Sequence, residues 1–442
     1  MIRDKKAFLS NLTLGVGRAL AVGCFAVLSQ MFNHQSGIYT PYIILLAGSI
    51  AYIVAKSVGE LSLMYPGAFG IWTYIRNAWG NFIGLGVVLG YVIMLLLVAG
   101  IEGKLLGQIF SVLFNISHPA LIVTALFLFV MGINWYGLNF SKRAQIGMVL
   151  LLVFISLLLA LLVWIKVPEE SANSAIPAET ALDSLLEMLI IAFFLFVGFE
   201  WTTNSANTSR KAAGDIPKVL TASIAVLVVY YFLFSVSMQA YLNHDTAHHS
   251  MTPHVSMATY SLGESGSFLI FVLSSLAVLS SFNVGLIGAT RLIYAVAREG
   301  YLPESFSSNI NRHGVPVWPL LFLGTSGLVI AVFCAIAEID IAILSEVAAL
   351  IICLIYAILL HTALRLRTLH GEKVSKQQKL LPAPLINIVT GLMVTVIVAI
   401  IADKGWSFEI QFSLTVLFLV MVCAGLMIVN RYNKLFQKEK SQ

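Results

Sequence analysis

The chain has 442 residues, of which 59% are hydrophobic and 11% charged, with a formal net charge of +5. A soluble domain carries roughly 25% charged residues, and a water-soluble globule of this length would lack the polar surface to cover so much apolar side chain. The composition excludes a soluble protein. It predicts about twelve transmembrane helices, because each span needs about 20 apolar residues plus its connection.

The amino-terminal run Met1-Ile2-Arg3-Asp4-Lys5-Lys6 has the basic character of a signal peptide. The apolar stretch behind it is too long, and no small-residue cleavage site closes it, so a retained first helix is expected. Apolar runs and their polar interruptions then predict spans at 8–32, 41–62, 82–113, 119–138, 146–166, 182–207, 218–241, 266–290, 317–337, 341–364, 382–402 and 408–430. With the N-terminus in the cytoplasm, 21 of the 26 Lys and Arg residues fall in inner loops and tails. The outer loops hold only Lys166 and Lys404, while Arg18, Lys56 and Lys104 lie within spans. That one-sided distribution follows the positive-inside rule. It predicts an even number of spans, both termini cytoplasmic, and a multi-pass protein of the cytoplasmic (plasma or inner) membrane.

The cysteines Cys24, Cys334, Cys353 and Cys423 all sit in apolar stretches, which argues against a disulfide framework or a metal cluster. The outer loop 242–265 contains His244, His248, His249 and His254. Their spacing matches no metal site, so a solvated loop is expected. There is no metal-ligand pair, nucleophile elbow or phosphate-binding loop, so the chain is read as no enzyme and as needing no cofactor.

A transmembrane helix is interrupted only where its freed backbone lines a cavity or is buried in protein. Gly15, Gly17 and Gly23 surround Arg18 in the first span, and Phe196-Val197-Gly198-Phe199-Glu200 interrupts the sixth. Glycine beside charge in the first and sixth of twelve spans fits an inverted five-plus-five repeat, with a solute bound between the two broken helices. Half-helix N-termini offer N–H groups suited to a carboxylate, and half-helix C-termini offer carbonyls suited to an ammonium. A zwitterionic amino acid matches both ends.

Several motifs carry a family likeness. They are Gly59-Glu60-Leu61-Ser62 with Pro66-Gly67-Ala68-Phe69-Gly70, then Tyr74-Ile75-Arg76 and Ala78-Trp79-Gly80. Asn134-Trp135-Tyr136-Gly137 with Gln145 follows, and after it Phe196 to Glu200 with Asp215-Ile216-Pro217-Lys218. Last come Asn283 and the run from Gly288-Ala289-Thr290-Arg291 to Tyr301-Leu302-Pro303. In order and spacing these resemble the amino acid–polyamine–organocation (APC) superfamily of transporters. The resemblance implies an all-α, LeuT-like membrane fold. Residues 8–166 and 182–364 would form the inverted repeats of a single transporter domain, and 382–430 two added helices. It also implies a substrate site at the breaks. Amides of Ala21, Val22 and Gly23 would hold a carboxylate there, and carbonyls near Phe196, Val197 and Phe199 an amino group. Ala21-Val22-Gly23 stands where the family has a Gly-Ser-Gly-like turn, and Ala206-Asn207-Thr208 where it usually has paired acids. Some proton-coupled members carry a lysine in span five, and 146–165 here has no ionisable residue.

The expected substrate-binding set is Arg18, Ala21, Val22, Gly23, Glu102, Phe196, Val197, Gly198, Phe199, Glu200, Trp201 and Asn283. Ionisable groups at membrane depth cost several kcal/mol unless paired or wet. Arg18 is therefore expected to serve as a fixed cation or to bind the solute carboxylate, the alternative being a structural partner for Glu200 or Glu102. Glu200 either gates or caps the half-helix, and Phe199 with Trp201 forms either a hydrophobic lid over the solute or ordinary packing. Glu102 and Lys104, at i and i+2, share no helix face and should find separate partners, whereas Lys56 and Glu60, at i and i+4, should pair. Ser280 and Ser281 are site or interhelical glue, and Glu346 is a weaker candidate. The expected function is secondary transport of an amino-acid-like solute by alternating access, as a permease or exchanger. The alternatives are a carrier of a polyamine, amine or nucleobase, or else a channel or receptor. Expected partners are that small solute and membrane lipid, with no nucleic acid, and the chain acting as a monomer or homodimer.

Overall fold

The computed structural model describes residues 5–20, 27–28, 30–32, 37–66, 70–114, 119–166, 182–205, 214–244, 253–337, 339, 341–370, 379–404 and 407–440. The described residues are helical apart from turns and one isolated bridge between Ile310 and Pro316. The principal helices are α1 (Lys5–Ala19), α2 (Thr40–Met64), α3 (Gly70–Trp79), α4 (Asn81–Phe114), α5 (Pro119–Trp135), α6 (Leu138–Lys166) and α7 (Leu182–Phe194). They continue as α8 (Ile216–His244), α9 (Pro253–Leu262), α10 (Glu264–Arg298), α11 (Val317–Ile336), α12 (Ile341–His370), α13 (Ala383–Lys404) and α14 (Phe408–Lys440).

Among the described residues eight helices are long and apolar enough to cross a membrane: α2, α4, α6, α8, α10, α11, α12 and α14. Two shorter apolar stretches, Pro119–Trp135 and Ala383–Ala399, coincide with further expected spans. The first and sixth expected spans are represented by α1, of 15 residues, and α7, of 13. At 1.5 Å per residue these reach about 20 Å, short of the roughly 30 Å hydrocarbon layer.

Both short helices are enclosed by long ones. α1 packs against α6, α8 and α10, and α7 against α2 and α12. The enclosing helices pack closely at small residues. A Cβ on Gly59 of α2 would lie 3.0 Å from Pro217 of α8. Among the spans α14 is the least buried, with 11% of its apolar window covered by the chain.

Three expectations change. α6 starts at Leu138 and not near 146, because Gly137 turns the chain at φ 94°. The helix therefore carries Lys142, buried at 8% exposure, where the sequence pattern placed an inner loop. Glu60 does not pair with Lys56. Its carboxylate takes two hydrogen bonds of 2.5 Å from Arg367 of α12 and one of 3.1 Å from the Leu380 amide. A planar guanidinium matches both carboxylate oxygens at once, which an ammonium cannot do. Lys56 instead lies 5.5 Å from the Tyr52 ring.

The third change concerns the histidine loop. His254 lies on α9, 1% exposed, and not in a solvated loop. Among the described residues no group of three His, Cys, Asp or Glu is arranged to hold a metal. Burial disfavours the imidazolium and pushes the His254 pKa down from 6.5 to about 4. As pH falls the unfolded chain takes up this proton first, so stability is lost between those two values. We expect the thermal midpoint to drop between about pH 7.5 and about pH 4.5, and to drop less in His254→Gln. Equal drops in both proteins would contradict the burial of this side chain.

Candidate functional site

The site is built where two helices stop. α1 ends at Ala19, leaving carbonyls without helical partners. The Tyr231 hydroxyl of α8 donates to the Ala19 carbonyl at 2.6 Å, and Ser280 of α10 donates to the Gly17 carbonyl at 2.9 Å. α7 ends at Phe194, and the chain passes through turns at 195–198 into a 3₁₀ turn, Phe199–Trp201. Gly198 makes this possible with φ 110°, a conformation that side chains with a Cβ rarely adopt. Glu200 folds back on the break. Its Oε2 accepts from the Gly198 amide at 3.1 Å and from the Tyr356 hydroxyl at 2.8 Å. Tyr91 of α4 stands on the same carboxylate.

Arg18 crosses between these two ends. It is 3% exposed, and its Nη1 donates to the Ser281 hydroxyl at 2.7 Å and the Ser281 carbonyl at 3.1 Å. The guanidinium carbon lies 5.5 Å from the Trp201 ring, within cation–π range. Two glycines leave room for this side chain. A Cβ on Gly198 would overlap the Arg18 stem, and one on Gly285 would lie 3.1 Å from its Cζ. Glu102 of α4 is fully buried and interacts electrostatically with Arg18, with Ser281 beside it. Neither Glu102 oxygen makes a hydrogen bond of ordinary length with a described residue. Lys104 turns elsewhere and donates to the Ala337 carbonyl at 2.5 Å.

Aromatic rings close the surroundings. Trp201 meets Tyr91 edge-on at 5.3 Å, Phe199 leans on Tyr356 at 6.0 Å, and Phe196 meets Tyr231 edge-on at 5.9 Å. The structure thus gathers Arg18, Glu102, Phe196, Val197, Gly198, Phe199, Glu200 and Trp201 around one pair of helix ends. Ala21, Val22 and Gly23 lie outside the described residues. Glu346 is half-buried on α12.

Asn283 has a different neighbourhood. Its Oδ1 accepts from Asn134 at 2.9 Å and Ser141 at 2.7 Å. Its Nδ2 donates to Gln145 at 2.8 Å and to the Ser141 carbonyl at 3.3 Å. All four hydrogen-bonding positions of the amide are used, so in this conformation Asn283 offers a solute nothing. It braces α5, α6 and α10, and Gln145 extends the brace by donating to Ser280 at 2.7 Å.

Sequence reasoning missed Tyr91, Tyr231 and Tyr356, which serve the breaks from unbroken helices. An isolated tyrosine in an apolar run has no spacing to betray it. It also missed Lys142, whose Nζ donates to Asn11 of α1 at 3.3 Å. A second cluster joins two of the quoted motifs. Arg76 pairs with Glu299, and Trp72 donates to the same carboxylate at 3.0 Å.

Comparison with known proteins agrees with this architecture. A family model described as amino acid permease matches residues 7–426. The chain belongs to the amino acid permease family, and is a multi-pass membrane transporter of that family. It is 22% identical to the branched-chain amino acid permease BcaP of Bacillus subtilis, over 96% of this chain and 92% of that one. It is 21% identical to the chloroplastic cationic amino acid transporter 6 of Arabidopsis thaliana, over 72% of this chain and 59% of that one. An uncharacterised transporter of Legionella pneumophila is 28% identical over 74% of each chain.

Gly198 gives a test of the break. Gly198→Ala must hold a side chain at positive φ, at a cost of about 1–3 kcal/mol, and must also displace Arg18. We expect a clear loss of thermal stability, of which the double variant Arg18→Ala/Gly198→Ala recovers the steric part when the four proteins are compared as a cycle. A Gly198→Ala protein as stable as the wild type would contradict the geometry of the turn.

Proposed function

We propose that this chain is a secondary transporter that moves an amino acid or close analogue by alternating access at the paired ends of α1 and α7. The observation that carries this reading is Arg18, buried between both helix ends and held by Ser281. An arginine at membrane depth is costly unless it serves a site or a partner. Two helices that stop inside a bundle are the arrangement that can present backbone groups of both signs to a zwitterion. In this proposal the chain has twelve spans. Residues 8–166 and 182–364 form inverted repeats, 382–430 add two helices, and both termini are cytoplasmic. The backbone at 21–23 takes the carboxylate, and carbonyls of 196–199 take the ammonium. Arg18 is the fixed cation that ties α1 to α10 and releases as the bundle rocks. Phe196, Phe199 and Trp201 favour an apolar side chain on the solute, in keeping with a relative named for branched-chain amino acids.

A second reading rests on Glu200, whose Oε1 makes no hydrogen bond among the described residues. That oxygen suits a second ammonium, which favours a cationic amino acid or an amine, and another relative is named a cationic amino acid transporter.

Counterflow in proteoliposomes, with competition by a panel of amino acids and amines, tests the proposal. We expect saturable exchange, competition by apolar amino acids, and a loss of at least about tenfold in Arg18→Ala, the scale of a lost charge-assisted contact. Competition by lysine or a diamine alone would select the second reading. Unchanged exchange in Arg18→Ala and Arg18→Lys, or a conductance that grows linearly with the gradient, would overturn the mechanism.

A further inference from the structure

A cavity lies away from the helix breaks. It has a volume of about 400 Å³, is almost wholly apolar, and runs between α4, α12, α13 and α14. Ligand cavities span about 300–1,000 Å³. Gly86 and Gly90 of α4 form part of its floor. A Cβ on Gly86 would meet only ordinary van der Waals contacts, the Met421 sulfur at 3.6 Å and Val420 at 4.0 Å, so the missing side chain leaves room for an apolar group there. Along α4 the lining runs from Ile83 to Ile93. Ten residues of helix rise about 15 Å, half of the roughly 30 Å hydrocarbon layer. The groove is therefore as long as one leaflet is deep. A protein helix is about 10–12 Å across, too wide for a slot of this volume, whereas a single hydrocarbon chain is narrow enough to enter.

The Ile83 end of the groove carries polarity and charge. Trp79 lines the cavity there, and its indole N–H donates to Thr362 at 2.9 Å. Tryptophan settles where membrane meets water. Arg365 is exposed and lies over that ring, its guanidinium carbon 4.3 Å from the centroid. Among the described residues no ion pair engages Arg365. Arg76, one turn before Trp79, is already bound to Glu299. A cation on a tryptophan at the mouth of a leaflet-deep apolar groove matches a molecule with a negative head and a hydrocarbon tail.

We propose that this groove binds one anionic glycerophospholipid from the leaflet on the Arg365 side, its acyl chain along Gly86 and Gly90 and its phosphate on Arg365. The bound lipid would wedge α14 against α4 and α12 and steady the least buried span of the chain. The site is independent of the solute site.

The test uses the purified full chain, stripped of lipid in detergent, with dioleoyl phosphatidylglycerol and dioleoyl phosphatidylcholine as probes. Native mass spectrometry counts bound lipid, and thermal unfolding reads stabilisation. One phosphatidylglycerol should stay bound per chain and raise the thermal midpoint. In Arg365→Ala its affinity should fall roughly tenfold, more than that of the zwitterionic phosphatidylcholine, and Arg365→Lys should restore most of the preference. Gly86→Phe should exclude both lipids. Equal retention of the two lipids by the wild type, or no change in Arg365→Ala, would overturn the headgroup assignment. Lipid retention untouched in folded Gly86→Phe would overturn the groove. So would a Gly86→Phe protein that loses only a dimer, since the groove would then be an interface between copies.

Discussion

Inside a bilayer every backbone N–H and carbonyl needs a partner, and a helix that stops early leaves several without one. The described residues contain two such stops, and buried polar groups answer them. Tyr231 takes the Ala19 carbonyl, Ser280 takes the Gly17 carbonyl, and Glu200 receives the Gly198 amide. Each partner comes from a neighbouring helix or from the turn itself. The long helices around α1 and α7 thus hold the interrupted ones in register as well as burying them.

Arg18 is the second consequence. An arginine can lie here because Gly198 and Gly285 leave a slot for it, Trp201 covers its face, and Ser281 accepts from its Nη1. Glu102 supplies negative charge from α4. Five elements therefore converge on one guanidinium: α1, the turn after α7, the 3₁₀ segment, α10 and α4. Shifting any of them changes the arginine's surroundings, which is the coupling a rocking transporter needs between its site and its helices. The buried Glu60–Arg367 pair ties α2 to α12, and Arg76–Glu299 ties α3 to the end of α10. These pairs join helices that the sequence order keeps far apart.

Much of this was legible in the sequence. Apolar run length located the long helices, and Gly198 beside Glu200 marked the interruption after Phe194. Arg18 stood out because a charge at that depth demands a reason. Other features had no local signature. Whether Glu60 meets Lys56 or Arg367 depends on how α12 packs against α2, which i to i+4 spacing cannot foresee. Lys142 read as a loop residue because nothing in an apolar window says where a helix begins, and Gly137 settled that. Asn283 read as a solute contact on motif likeness. Its four bonds to Asn134, Ser141 and Gln145 give it a bracing role that only tertiary structure reveals.

The central claim is that the solute sits where α1 and α7 stop. The most direct measurement is solute protection of a single cysteine at Phe199→Cys, in a background with Cys24, Cys334, Cys353 and Cys423 replaced. Phe199 is fully buried, so a thiol reagent reaches it only as the bundle opens. The account predicts that the transported amino acid slows labelling in proportion to its occupancy, while a non-transported one does not. Labelling that proceeds at the same rate with and without a saturating transported solute would contradict it.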